Sequence, residues 1–407
     1  MILCGLASIK PQTPLVPHLL ESNEIRQEVL THLVLSCLFG KDSFVGIDIG
    51  SSSIKAIEIE ASGEGWRLVS AAVQTTPPEC CRDGVITNVF DVSQTVRKLL
   101  RSANIKSTNA VAAISGSQVI VRQCQFPKMT EAALRKSIRY EAAKHISASM
   151  DDSVVEFEIM GNVPDSDQMN VMLVAAPREM VESRISVLEA AGLDPISLDV
   201  EAFSLIRAMV GTDTSGQFQQ KTVALIDMGA RHTDVNVISN GDFALTRNIP
   251  IAGDSFTNAI KTLTGFTYED AERLKFEMTI QESLDKLNQQ DVENKCWRVV
   301  QPLLDELLRE VRRSLHYYQS QFPEGVEQSH VTKIILSGGT AKMPGMAAYM
   351  SAKSNVPVEI ADVFTDTRIV PGRFVGDFIE EQGPVLTIAA GLALKEELSE
   401  HSKAMAA

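Results

Sequence analysis

The chain has no CxxC pair, no long apolar run and no excess of positive charge, and each absence removes a class of function. Its six cysteines, at 4, 37, 80, 81, 124 and 296, show no metal-ligand spacing, so a cysteine-held zinc site is excluded. Cys80 and Cys81 are neighbours and read as plain loop thiols, a usage that suits a reducing compartment. The seven histidines are scattered. No apolar stretch approaches the ~18 residues needed to span a bilayer. The first apolar stretch, Met1 to Ala7, is too short for a secretory signal, and Pro11, Pro14 and Pro17 interrupt the next one. Lys and Arg number 38 against 52 Asp and Glu, a net charge of −14, which argues against a surface built to hold nucleic-acid phosphates. The P-loop pattern GxxxxGK[ST] is missing. What remains is a chain of 407 residues, 44% of them hydrophobic, long enough for about two to four domains with sizeable cores.

Three strand-then-polar-turn units stand out. The first is FVGIDIGSSSIKAIE, Phe44 to Glu58. Val45, Ile47 and Ile49 alternate with Gly46, Asp48 and Gly50 as in a strand, and Ile54 to Ile59 resume the alternation, so the unit is a hairpin. Gly50 permits a tight turn, and Ser51, Ser52 and Ser53 offer hydroxyls beside backbone N–H groups, a donor set suited to phosphate oxygens. Asp48 at the strand end suits Mg²⁺, held through water, and Lys55 suits the phosphates as a point charge. The second unit repeats the logic. Lys221 to Ile226 leads into Asp227, then a turn from Met228 to His232 with Gly229, then Thr233 and a returning strand. Asn240-Gly241 marks the next hairpin. The third unit runs from Val331 to Leu336 into Ser337, Gly338, Gly339 and Thr340, with Met343-Pro344-Gly345 opening a helix. Its glycines let backbone approach a flat or anionic ligand closely. Together the three predict one composite nucleotide site.

The combination resembles the actin-like ATPase superfamily of actin, the Hsp70 chaperones, sugar kinases and FtsA. The resemblance implies an α/β, duplicated ribonuclease H-like fold that binds ATP with Mg²⁺. GIDIGSSSIK is similar to the first phosphate motif, which makes Asp48 the metal-linked carboxylate and Gly50, Ser51, Ser52, Ser53 and Lys55 phosphate contacts. IDMGARHTDVNV is similar to the second, giving Asp227, also toward the metal, with Gly229 and Thr233. LSGGTAKMPGM is similar to the adenosine motif, giving Gly338, Gly339, Thr340 and Met343. DAERLKFE resembles the helix that meets ribose and base, giving Glu272 and Lys275. DVEAFSLIRA and TIAAGLAL resemble the two connecting helices, and the first makes Glu201 the candidate for orienting an attacking water. The catalytic expectation is therefore Glu201, Asp48 and Asp227, with tight nucleotide binding and slow or absent turnover.

The segment 118–200 selects the branch. It reads strand (119–126), helix (130–146), strand (153–160), strand (169–176), helix (178–191) and strand (195–199), a split-βαβ module. It lies where FtsA and the PilM family carry an extra subdomain. PPECCRDGVITN and FPKMTEAALRKSIRYEAAKHI are similar to the PilM pattern. The tail LKEELSEHSKAMAA is acidic and lacks the bulky aromatic anchor of an FtsA-type membrane helix. The resemblance implies a cytoplasmic scaffold of type IV pilus assembly at the inner face of the inner membrane. Its partner would be the N-terminal cytoplasmic peptide of a PilN-type membrane protein. Self-association is a further expectation, and an FtsA-like division protein or a small-molecule kinase are the alternatives. Arg135, Arg139 and Lys144, on the exposed side of the first helix of the module, are the expected peptide contacts. The expected division is an extension over 1–42, disordered or a mis-assigned start, although 21–39 has one apolar helical face. The first lobe comes next over 43–117, then the insert over 118–200 and the second lobe over 201–394. The second lobe includes a helical subdomain at about 255–330, and an acidic tail ends the chain over 395–407.

Overall fold

The computed structural model describes residues 43–62, 65–146, 149–280, 291–323, 326, 329–365, 367–372 and 376–406. The expected extension over 1–42 lies outside these residues, and so does most of 282–293, whose polar composition predicts a loop or an exposed helix. Chain order in the first lobe is β1 (Phe44–Ile49), β2 (Ser53–Ser62), β3 (Gly65–Thr75), a small ribbon of β4 (Cys81–Arg82) and β5 (Val85–Ile86), α1 (Val89–Ser102) and β6 (Asn109–Ile114). Next come β7 (Ile120–Pro127), α2 (Glu131–Ala142), β8 (Ser153–Asn162), β9 (Gln168–Pro177), α3 (Arg178–Ala191) and β10 (Asp194–Val200). The second lobe opens with α4 (Glu201–Met209), β11 (Thr222–Met228), β12 (Thr233–Ser239) and β13 (Asp242–Ile249). It continues with α5 (Gly253–Thr264), α6 (Tyr268–Glu277), α7 (Val292–Gln319), β14 (Val331–Ser337), α8 (Met346–Ser354) and β15 (Val358–Ile360). Finally β16 (Ile369–Val370) returns to the first sheet, and α9 (Gly376–Ala406) closes the chain.

The two main sheets are one pattern used twice. Their orders are β10-β6-β1-β2-β3-β16 and β13-β12-β11-β14-β15. In each, an antiparallel meander (β1-β2-β3, β11-β12-β13) is extended on its first strand by two parallel strands. This is the duplication that the paired hairpins imply. Every residue of β1 is buried. Val45, Ile47 and Ile49 pack with α1 and α3 in the first-lobe core. Gly46, on the other face, lies against Ala389 and Ala393 of α9, which with α4 lies between the sheets. The apolar faces of α4 and α9 form one core with both lobes, including Leu205, Ile206, Ala389 and Leu392 with Ile57, Val223 and Leu225. A buried ion cluster pins this junction. Arg207 Nη2 lies 2.8 Å from Asp199 Oδ2, Arg207 Nη1 donates to the Gly391 carbonyl at 2.8 Å, and Lys395 Nζ stands 3.8 Å from Asp199 Oδ1. Burial pushes the Asp199 carboxyl up, but Lys395 and Arg207 outweigh it and hold it below its usual value.

The segment 118–200 is not one module, and the expectation is corrected here. Its first four elements form a separate three-stranded antiparallel sheet, β7-β9-β8. α2 covers one face of it through Leu134, Ile138 and Ala142, and Thr130 caps that helix by accepting the Ala133 N–H. The last two elements belong elsewhere. β10 pairs in parallel with β6 in the first lobe, and α3 packs Val187 and Leu188 into that lobe's core. Hydrophobic period identifies a strand but not its partner, so a six-element run looks alike whether the last strand joins the small sheet or the large one. The separate tail is likewise corrected at its start: α9 runs through Ala406, and Lys395 is buried. Among the described residues, no helix is long and apolar enough to cross a membrane.

Candidate nucleotide site

Between the lobes lies a cleft of ≈ 570 Å³, walled by the two hairpin turns, the Gly338–Gly339 turn and the face of α6. It gathers Asp48, Gly50, Ser51, Ser52, Ser53, Lys55, Glu201, Asp227, Gly229, Glu272, Lys275, Gly338, Gly339 and Thr340. These residues come from separate stretches of the chain, and the duplicated topology brings their strand ends together. The first turn is closed by the Gly50 N–H donating to the Ser53 carbonyl at 3.1 Å, and Thr76 Oγ1 donates to the Gly50 carbonyl at 2.7 Å. The second turn is closed by Gly229 N–H to the His232 carbonyl at 3.0 Å. The Gly229 carbonyl then accepts from Thr340 Oγ1 at 2.7 Å and from Gly253 N–H at 3.2 Å, tying the hairpin to the adenosine-type turn and to α5. Gly338 has φ +87°, and a Cβ there would stand 2.5 Å from the Met228 carbonyl oxygen, so the strand ends can meet only at a glycine.

Two expected residues lie apart from the cleft. Thr233 is fully buried, and its hydroxyl donates to the Ile251 carbonyl at 2.7 Å. Met343 is also buried, in the core of the second lobe among Met346 and Tyr349. Strand alternation explains the first: where Thr233 faces inward, its neighbour Asp234 lines the cleft. Asp234 was legible from the duplication. Lys55 is the cross-strand partner of Asp48, and Asp234 is the cross-strand partner of Asp227 at the same offset along its hairpin. The second hairpin thus carries an acid where the first carries its lysine. Ser115, Arg231, Lys342 and Glu381 also line the cleft. Arg231 and Lys342 stand inside the second phosphate-type and adenosine-type motifs without being among the expected contacts, and Ser115 and Glu381 belong to no motif.

Electrostatics define what the cleft wants. Lys55 Nζ lies 3.0 Å from Asp48 Oδ2. Burial lowers the lysine's pKa, but Asp48, Asp227 and Glu201 together raise it above the usual value, so it stays charged. Glu201, at the first turn of α4, accepts a hydrogen bond from Ser115 Oγ at 2.6 Å. Its carboxyl is pushed up to about 8 by burial and by Asp48, Asp234 and Asp227. Asp234 is pushed up to about 7 by burial and by Asp227. Asp227 is also raised by burial, although Ser337 Oγ donates to it at 2.7 Å. Four carboxylates around one lysine leave surplus negative charge, an arrangement that a cation relieves. Among the described residues no three His, Cys, Asp or Glu side chains are arranged to hold a metal by themselves. The carboxylates of Asp48 and Asp227 at the strand ends are oxygen donors of the type Mg²⁺ takes, beside waters and ligand phosphate oxygens. At the other end Lys275 is 2% exposed and lies 2.6 Å from Glu272 Oε2. Burial holds its pKa below the ordinary lysine value.

A duplicated sheet pair with phosphate-type hairpins facing each other across a cleft is the actin-like ATPase fold. The family model described as "Type IV pilus assembly protein PilM" matches residues 46–397, and the chain belongs to that family. A solved structure titled "PilM-PilN type IV pilus biogenesis complex" is similar at 27% identity and TM-score 0.73, covering 86% of this chain and 97% of that one. Cell division protein FtsA of Bacillus subtilis is 24% identical over 350 residues, 74% of each chain. MreB5 of Spiroplasma citri, solved bound to AMPPNP, shares the fold at 14% identity and TM-score 0.50, covering 89% of this chain and 98% of that one.

Proposed function

We propose that this chain is an ATP-binding cytoplasmic scaffold of type IV pilus assembly. It docks the N-terminal cytoplasmic peptide of a PilN-type protein and is thereby held at the inner face of the inner membrane. The observation that carries this reading is the match to the PilM family over 46–397 and to 97% of a chain in the structure titled a PilM-PilN complex, joined to an intact cleft. In the nucleotide-bound protein, the turns at Gly50–Ser53 and Gly229–His232 give N–H and hydroxyl donors to the phosphates, with Lys55 as their charge partner. Gly338 and Gly339 face the adenosine, and Glu272 and Lys275 meet the ribose. Asp48 and Asp227 would hold Mg²⁺, which would supply positive charge to the phosphates. Glu201 orients water. In the free chain its carboxyl is pushed up by burial and by Asp48, Asp234 and Asp227, and slow or absent turnover is the expected behaviour of a nucleotide-binding scaffold.

The test is a pull-down with the N-terminal peptide of the cognate PilN-type protein, with and without ATP and Mg²⁺. Retention is expected. Failure to retain the peptide under both conditions overturns the pilus reading. The FtsA likeness supports a second reading, a cell-division tether, which gains if a division protein is retained instead.

A further inference from the structure

Arg231, in the turn of the second hairpin, does something that the phosphate role of that turn does not require. Its Nη1 donates to the backbone carbonyl of Cys81. Cys81 belongs to the β4–β5 ribbon, whose Cys80, Cys81 and Ile86 are rooted in the first-lobe core. The contact therefore crosses from one lobe to the other at the rim of the cleft. Behind it, Arg231 Nε stands 3.6 Å from Asp254 Oδ2, and Asp254 Oδ1 accepts the Tyr268 phenol at 2.6 Å. Asp254 is in the first turn of α5, and its N–H donates to the Ala230 carbonyl at 2.7 Å. Tyr268 opens α6, the helix that carries Glu272 and Lys275. A continuous polar chain thus runs from the ribose-facing helix to the opposite lobe. The ribbon has a second contact on the cleft side. Gly84, φ +82°, is packed so that a Cβ would stand 2.3 Å from the Ser115 carbonyl oxygen, and Ser115 Oγ holds Glu201. The next side chain of the turn, His232, also faces the ribbon. Burial holds its imidazole below the usual pKa, while Asp83 at the ribbon's tip pulls it upward.

We propose that Arg231 is a clasp that holds the two lobes together over a bound nucleotide, with Asp254 and Tyr268 as the residues that aim it. This rests on the nucleotide reading of the cleft. The geometry supplies the reason for a clasp rather than a static strut. Arg231 keeps 31% of its side chain exposed, so water can replace the Cys81 carbonyl when the lobes part, while Asp254, in the same lobe as Arg231, stays beside it. The Cys81 carbonyl can be regained only when they close. The clasp acts on release rather than on entry, because it forms only after the lobes have met. It positions the ribbon, and through Gly84 and Ser115 it positions Glu201, without touching phosphate chemistry itself.

The experiment is stopped-flow release of a fluorescent ATP analogue, with Mg²⁺, from the full chain and from Arg231→Ala, Arg231→Lys and Tyr268→Phe. It is paired with amide hydrogen exchange over residues 81–86 in the free and loaded protein. Loss of a charge-assisted hydrogen bond corresponds to about a tenfold rise in release rate. Arg231→Ala should show this with an unchanged association rate, and should lose the nucleotide-dependent protection of 81–86. Tyr268→Phe should move both readouts in the same direction by less, and Arg231→Lys should recover part of the loss. If the unaltered chain binds the analogue and Arg231→Ala releases it at the same rate with the same protection, the clasp is wrong and the nucleotide reading stands. If the unaltered chain binds no nucleotide, the nucleotide reading fails. Equal protection of 81–86 in the free chain and in free Arg231→Ala would then overturn the clasp as well.

Discussion

Replacing Glu201 with Gln tests the electrostatic picture of the cleft through its pH dependence. In the folded chain the Glu201 carboxyl titrates near 8, against an ordinary value of 4.5, so between these values the folded state holds a proton that the unfolded chain has released. Stability must then fall as pH rises across that window. The penalty is absent below about pH 4.5, where both states are protonated, and complete above about pH 8. One pKa unit corresponds to about 1.4 kcal/mol. Because Asp48, Asp227 and Asp234 share the effect, the part removed by one substitution is on the order of 2–4 kcal/mol. Gln keeps the shape and can still accept from Ser115 Oγ, so the substitution removes charge and little else. Thermal melts in EDTA at about pH 5 and about pH 9, either side of most of the window, provide the assay. Glu201→Gln should melt close to the unaltered chain at the acid end and a few degrees higher at the alkaline end. Excess Mg²⁺ with nucleotide should shrink the difference. A variant that is less stable in alkali, or shifted equally at both ends, would falsify the charge cluster as described.

Three further outcomes rest on the same geometry. Asp48→Ala removes the partner of buried Lys55 together with the proposed Mg²⁺ contact, and should reduce nucleotide affinity at least a hundredfold by calorimetric titration; retained affinity overturns the role of the first hairpin. Gly338→Ala puts a methyl 2.5 Å from the Met228 carbonyl at a positive φ and should cost about 1–3 kcal/mol of stability by chemical denaturation while weakening nucleotide binding. Arg135→Ala with Arg139→Ala on exposed α2 should weaken binding of the PilN-type peptide on the order of tenfold, read by fluorescence polarisation, and unchanged affinity would move the peptide surface elsewhere.

The parts of the site visible in the sequence are those whose chemistry is local. Asp48 with Gly50 to Lys55, Asp227 with Gly229, and Gly338 to Thr340 are each a strand end and the turn after it, so period and turn residues place them. Thr233 and Asp234 show where this stops. The motif supplies both, and the pleat of β12 decides which one faces the cleft; the sequence signal that picks Asp234 is its place in the second hairpin, equivalent to Lys55 in the first. Met343 fails for a related reason: the short turn Thr340–Lys342 ends by directing it inward, which nothing in the spelling of the segment reveals. Ser115 was illegible because its partner, Glu201, lies far off in the chain, and Arg231, although inside a motif, gave no sign of its contact with the Cys81 carbonyl for the same reason. The sheet orders were half legible. The repeat of the hairpins implied duplication, but the return of β10 to β6 depends on a pairing that hydrophobic period does not encode.

That return has a consequence for how the insert behaves. β9 serves two cores at once. Val171, Leu173 and Ala175 face α2 within the insert, whereas Met172, Val174 and Ala176 face the first lobe. A pendant module on two linkers would melt by itself. A module whose central strand is also a wall of the first lobe cannot lose that strand without opening both. Leu173 is fully buried and packs inside the insert, so Leu173→Ala should destabilise by about 2–5 kcal/mol. The form of the loss is the informative quantity. With β9 shared, calorimetry should show the transition that includes the first lobe moving down as a whole. A pendant insert would instead give a new early transition with the remainder unmoved, and that result would refute the shared strand as the mechanical link between the insert and the nucleotide-binding lobe. The same link requires that a partner gripping the insert act on the lobe that carries Asp48 and Lys55, because β9, α3 and β10 run from the small sheet to Glu201 without a flexible break.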